Sequence, residues 1–122
     1  MQWDVYLHPA FAKEAKEFSR AVQIEIAALV GLLQRFGPLL KRPHCDTLKG
    51  SANPNMKELR FSLPEGVWRI AFVFDPQRNA ILLVGGSKSG VSESQFYRDL
   101  IRVADERFRT HLKKLEEDGD PK

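Results

Sequence analysis

Two alternating runs separated by a tight turn constrain this chain more than any other feature. Between Lys57 and Leu63 the apolar residues Leu59, Phe61 and Leu63 alternate with Glu58, Arg60 and Ser62; between Val67 and Phe74, Trp68, Ile70, Phe72 and Phe74 share a side with Arg69 opposite. A period of two puts each set on one face of a strand, and Pro64-Glu65-Gly66 between them is turn chemistry, so the segment predicts a β-hairpin. Closing it with Ser62 opposite Val67 sets Leu59 against Ile70 and Phe61 against Trp68 on the apolar side. The same register sets Arg60 against Arg69 on the other side. Like charges directly across a sheet repel, so this pair needs either a carboxylate neighbour such as Glu58 or an anion from outside.

The rest of the chain builds around the hairpin. Trp3, Val5 and Leu7 alternate with Asp4 and Tyr6, which predicts a short first strand, and Pro9 suits the first turn of a helix. From Pro9 to Phe36 the apolar residues recur at helical spacing in two stripes, Phe11, Ala15 and Phe18, then Val22, Ile26, Leu29 and Leu33. This pattern predicts two helices that break near Ser19. Gly37-Pro38 stops the second, and residues 38–56, with three prolines and no periodicity, read as a long loop with a turn at Lys49-Gly50-Ser51. Asp75 to Asn79 is a second turn. Ala80 to Val84, continuously apolar, predicts an interior strand covered on both faces. Beyond Gly85 to Gly90, Ser92 and Gln95 carry a capping-box spacing for a last helix with the stripe Tyr97, Ile101, Ala104, Phe108, Leu112 and Leu115. The expected fold is therefore α+β, a small, mainly antiparallel sheet packed against N-terminal helices and a C-terminal helix. Residues 1–117 are expected to form one domain and 118–122 a frayed tail.

Residues 35–90 carry nine Lys and Arg against four Asp and Glu, a local charge of +5, while the two ends together carry −2. Positive charge gathered in the middle of the chain favours a polyanionic partner. Lys41, Arg42, His44 and Lys49 in the long loop suit contacts to a nucleic-acid backbone, with plain solvated loop charge as the alternative. Lys57 opens the strand that carries Arg60, and Lys88 stands in a Gly/Ser-rich segment where backbone donors can also approach a phosphate. No Ser/His/Asp arrangement is readable, and His44-Cys45-Asp46 is too compact to close a metal site alone, so neither metal nor cofactor is expected. Cys45 is the only cysteine, and the segment from Met1 has no signal-peptide pattern; both suit a cytoplasmic protein. A cluster of Arg and Lys suits one reaction in particular. In RNA the 2′-hydroxyl is itself the nucleophile, and the site must orient it, stabilise charge on phosphorus and manage protons.

Gly37-Pro38, Lys41-Arg42-Pro43, Asp46, Asn55 to Arg60, Trp68-Arg69-Ile70, Phe72 to Pro76 and Gly85-Gly86-Ser87-Lys88 together resemble the phage-derived HigB-like branch of the RelE/HigB/ParE toxin superfamily. The resemblance spans roughly residues 3–112. It implies the toxin of a type II toxin–antitoxin pair, a metal-independent endoribonuclease that cuts mRNA on the ribosome. It also implies a helix-turn-helix, HigA-like antitoxin as partner, through which operator DNA is reached indirectly. Arg60 and Arg69 match the sheet arginines expected at the phosphate and Lys88 the basic position after the last strand. Tyr97 matches the C-terminal aromatic, although it also fits the last helix's apolar stripe, and Lys57 and Arg42 match pattern positions; in this reading Arg60, Arg69 and Lys88 stabilise the scissile phosphate and Lys57 or Tyr97 helps with proton transfer. Two departures stand out: Lys41 where the branch usually has Gly, and Ser87 where it has Asp before Lys88. A ParE-like gyrase inhibitor and an inactive corepressor are the alternative readings for such a domain.

Overall fold

The computed structural model describes residues 2–119. In chain order the elements are β1 (Val5–Leu7), α1 (Pro9–Ala15), α2 (Arg20–Phe36), a 3-10 turn (Gly37–Leu39), β2 (Cys45–Thr47), β3 (Lys57–Leu63), β4 (Gly66–Phe74), β5 (Ala80–Ser87) and α3 (Glu93–Gly119). The five strands form one sheet in the order β1-β5-β4-β3-β2. All pairings are antiparallel except β1 with β5.

The hairpin closes in the register read from the alternation, with Leu59 opposite Ile70, Phe61 opposite Trp68, Ser62 opposite Val67 and Arg60 opposite Arg69. Burial explains why: a slip of one residue would turn Leu59, Phe61, Ile70 and Phe72 out of the core. That face packs on Phe11 of α1 and on Val22, Ile26, Leu29 and Leu33 of α2. The opposite face, with Ala71, Val73, Ile81 and Leu83, packs on Leu100, Ala104 and Phe108 of α3. Each large apolar side chain so buried contributes about 1.5–3 kcal/mol. Strand β5 lies between β1 and β4 with helices over both faces, as its unbroken apolar run predicts.

The predicted helix boundaries have identifiable causes. Ser19 caps α2 by accepting from the Val22 amide at 3.3 Å. Gly37 ends it at φ +54°, its amide donating to the Leu33 carbonyl. Arg20–Leu39 is long and apolar enough to cross a bilayer, yet its buried stripe faces the sheet and Gln23 and Glu25 interrupt its other sides.

Four expectations need correction. The 38–56 segment is not loop throughout: Cys45–Thr47 pairs with β3 as an edge strand, and Leu40, Leu48 and Met56 are buried. Three residues are too few to show a period, and pairing with β3 decides their conformation. The first strand begins at Val5 and leaves Trp3 outside it; the Trp3 amide instead donates to the Gln34 carbonyl at 2.8 Å, and the indole lies against Gly37. Ser92 accepts from the Gln95 amide at 3.1 Å, but the Gln95 side chain turns to Asp99 and Arg98, so the capping box is only half made. Finally, α3 continues through Asp118 and Gly119, where a tail was expected, with Lys114 and Asp118 paired at 3.7 Å across its last turn. Residues 120–122 lie outside the described residues.

Candidate active site

Strand register alone brings the two arginines together. Directly paired residues of an antiparallel ladder have Cα atoms about 4.5–5.5 Å apart, and Arg60 and Arg69 are such a pair on the α3 face. Neither is in an ion pair among the described residues. Arg69 is 8% exposed, and its Nε is buried with no hydrogen-bond partner. Its guanidinium lies under two rings from the first turn of α3, 5.6 Å from the centre of Phe96 and 5.3 Å from that of Tyr97. Cation–π contact of this kind holds the charge in place without neutralising it.

A bulge in β5 sets which residue lies beside Arg69. Ala71 pairs with Val84 and Phe72 with Leu82, which leaves Leu83 as the extra residue. Beyond the bulge Gly86 falls opposite Arg69, where a Cβ would come within 3.7 Å of the Phe96 ring. The exposed Lys88 follows one residue after Ser87, the partner of Trp68, and so stands just past the Arg69 end of the sheet.

Glu58, two residues before Arg60 and on the same face, is the acid of this group. It is 5% exposed, and its carboxylate accepts the Tyr97 hydroxyl, at 3.0 Å from Oε1 and 3.3 Å from Oε2. Burial pushes the Glu58 carboxyl above the usual carboxylate range, against the Tyr97 hydrogen bond and the fields of Arg60 and Arg69, which pull it down. The Tyr97 phenol is itself pushed up, first by burial and then by the adjacent Glu58 charge. Tyr97 also lines an open cleft of about 650 Å³ with Gly50, Ser94, Arg98 and Ile101.

The loop residues lie at the β2 edge of the sheet. Arg42 is exposed and bound to Asp46, Nε to Oδ2 at 2.9 Å, and Asp46 pairs in register with Glu58. The Thr47 amide and, after it, the Arg42 side chain hold the Asp46 carboxyl below its usual range. The carbonyl of exposed His44 accepts from the Arg60 amide at 2.9 Å. Exposed Lys49 precedes Gly50 at the rim of the Tyr97 cleft.

Of the residues singled out from sequence, Arg60, Arg69 and Tyr97 meet on one face, Lys49 precedes its cleft and Lys88 stands at its end, whereas Arg42 and His44 lie at the β2 edge, where they line a cavity with Glu25, Ala28 and Leu29 of α2. Lys57 does not join the first three. Strand alternation puts it with Leu59 on the α1/α2 face, where it lines a separate cavity with Lys41, Leu40 and Cys45. Sequence reasoning weighed Glu58 only as a counter-ion and missed Phe96. The hairpin register was the signal for Glu58; Phe96 gave none, because only α3 docking sets its ring over Arg69.

Comparison with known proteins gives the family and the fold. The family model described as phage-derived protein Gp49-like matches residues 13–109. A putative toxin HigB3 of Mycobacterium tuberculosis is 39% identical over 109 residues, covering 88% of this chain and 92% of that protein. A putative toxin HigB2 of the same organism is 44% identical over 98 residues, 80% of this chain, which spans about half (48%) of that relative's length. Among solved structures, an arginine-to-alanine double mutant of the E. coli toxin RelE in its free state superposes with a TM-score of 0.58 at 12% identity. That match covers 84% of this chain and 96% of RelE, and at such low identity it shows the fold alone.

Proposed function

The chain belongs to the phage-derived Gp49-like family, with HigB toxins among its relatives, and we propose that it is the toxin of a toxin–antitoxin pair that stops translation by cutting mRNA on the ribosome. The observation that carries this reading is the Arg60–Arg69 pair, two cations face to face with no ion-pair partner among the described residues and one guanidinium nitrogen buried and unmatched. Such a pair is complementary to a phosphate, and more so to the extra negative charge of a phosphorane. Arg60 and Arg69 clamp the scissile phosphate, Lys88 adds charge from the end of β5, and Tyr97 handles the proton of the attacking 2′-hydroxyl. Arg42, His44 and Lys49 track the flanking backbone. The ribosome holds the mRNA in line for attack, an orientation that a free strand lacks. The site is cytoplasmic, and a HigA-like helix-turn-helix antitoxin restrains it.

Expression without an antitoxin tests this reading. The wild-type chain is expected to arrest growth and create new mRNA 5′ ends inside translated codons. The folded Arg60→Ala/Arg69→Ala variant is expected to do neither. Full toxicity of that variant would rule out the phosphate clamp, and arrest with intact mRNA would point to a gyrase-type target.

A further inference from the structure

We propose that Glu58 is a positioning residue for this reaction: it orients the Tyr97 phenol and takes its proton when the 2′-hydroxyl attacks. The inference rests on the nuclease reading above and assigns a role to a group that the arginine clamp leaves unused. A buried carboxylate is costly to keep unless it is paired. Here the paired groups are asymmetric. Among the described residues Arg60 and Arg69 face Glu58 without an ion pair to it, whereas Tyr97, from α3, bonds both of its oxygens.

Geometry defines what that bond does. Glu58 enters from β3 and Tyr97 from the first turn of α3, so the bond fixes where the hydroxyl stands over the sheet. With its proton directed at Glu58, the phenol oxygen presents lone pairs to whatever lies over Arg60 and Arg69. A ribose 2′-hydroxyl there gives its proton to the Tyr97 oxygen as the Tyr97 proton passes to Glu58. The 2′-oxygen bonds to phosphorus, and the bond from phosphorus to the 5′-oxygen breaks. The leaving oxygen takes a proton from a solvent water, and the hydroxide left behind is neutralised by the proton that Glu58 then releases. Tyr97 is never a free phenolate, which its buried position beside a carboxylate disfavours.

The charged groups facing Glu58 work on it from every packed element. Arg60 on its own strand and Arg69 on β4 favour its ionised form, as does Tyr97 on α3, while Asp46 on β2 and burial favour the protonated one. The balance lies above the ordinary carboxylate range, which brings proton uptake by Glu58 nearer to neutral pH.

Two measurements test the proposal together. Single-turnover cleavage of a defined mRNA on programmed ribosomes, followed from pH 5.5 to 8.5, is expected to fall on the acid side for the wild-type protein. Glu58→Gln is expected to lose that acid limb and to cut on the order of 10²-fold more slowly. Carbon-13 NMR of the free protein reads the Glu58 carboxyl directly. Its titration is expected to move further upward in Tyr97→Phe, because the hydroxyl donor is gone. A Glu58→Gln rate and pH profile equal to wild type would overturn the proposal. So would a Glu58 titration indifferent to Tyr97→Phe, and this result is available even if no form of the protein cuts mRNA. An inactive wild type together with a shifted Glu58 titration would overturn the nuclease reading and the proton relay built on it.

Discussion

At the scale of single residues, function and stability pull apart at Glu58. Its carboxyl is raised in the folded chain, so the folded state binds the proton more tightly than the unfolded chain does. The contribution to stability is therefore full below the unfolded value and is lost as pH rises through the folded one. Glu58→Gln keeps a partner for the Tyr97 hydroxyl and removes the buried charge. It is expected to unfold at the same or a higher urea concentration than wild type near neutral pH, by a margin that shrinks on acidification; a variant less stable at pH 7 than at pH 4, relative to wild type, would refute this. Gly37 shows the opposite case, a residue kept for structure alone. It sits at φ +54°, and a Cβ there would strike the Trp3 indole. Gly37→Ala is expected to cost roughly 2–4 kcal/mol in chemical denaturation, through strain and displacement of Trp3.

At the scale of elements, the docking of α3 sets the site, and its far end is tied down by charge. Arg107 reaches from α3 to Glu14 just before the end of α1, Nη2 to Oε2 at 2.6 Å, and donates through Nη1 to the Leu83 carbonyl of β5 at 2.8 Å. His111 closes on buried Asp75 at 2.8 Å, whose other oxygen orders the β4–β5 turn. Arg107→Ala is expected to lower stability by about 1–2 kcal/mol, since it strands the Leu83 carbonyl. The Arg107 hydrogen bond lowers the Glu14 carboxyl, and burial lowers the His8 imidazole. Both groups contribute stability that is present above their unfolded values and is lost as pH falls. In Glu58→Gln, where the opposing Glu58 contribution is removed, the midpoint is therefore expected to drop on acidification, first as pH falls below 6.5 and then below 4.5, the ordinary values of the two groups. Urea denaturation from pH 8 to 4 reads this, and Arg107→Ala is expected to flatten the lower limb. Elements with their own period were legible in the sequence: the hairpin and its register from Leu59, Phe61, Trp68 and Ile70, and α2 from its stripe between Ser19 and Gly37. Cys45–Thr47 was not, because a three-residue edge strand exists only by pairing with β3.

For the whole molecule, helices on both faces of the sheet leave a cationic group where α3 begins, with Arg60 and Arg69 at its centre. The arginine pair was legible because strand pairing turned two distant letters into neighbours. Lys57 was misplaced because it lies one residue from Glu58 in sequence and on the opposite face in space. Phe96 and the Glu58–Tyr97 bond were not legible, since both depend on where α3 lands. Primer extension on a defined mRNA in purified, programmed ribosomes tests the proposal that Arg60 and Arg69 hold the scissile phosphate of ribosome-bound mRNA. Wild-type protein is expected to give a discrete cut within the codon presented for decoding. Arg60→Ala/Arg69→Ala, with an unchanged circular dichroism spectrum, is expected to cut at least 10³-fold more slowly. Cleavage at the wild-type rate by the folded double variant would contradict the account.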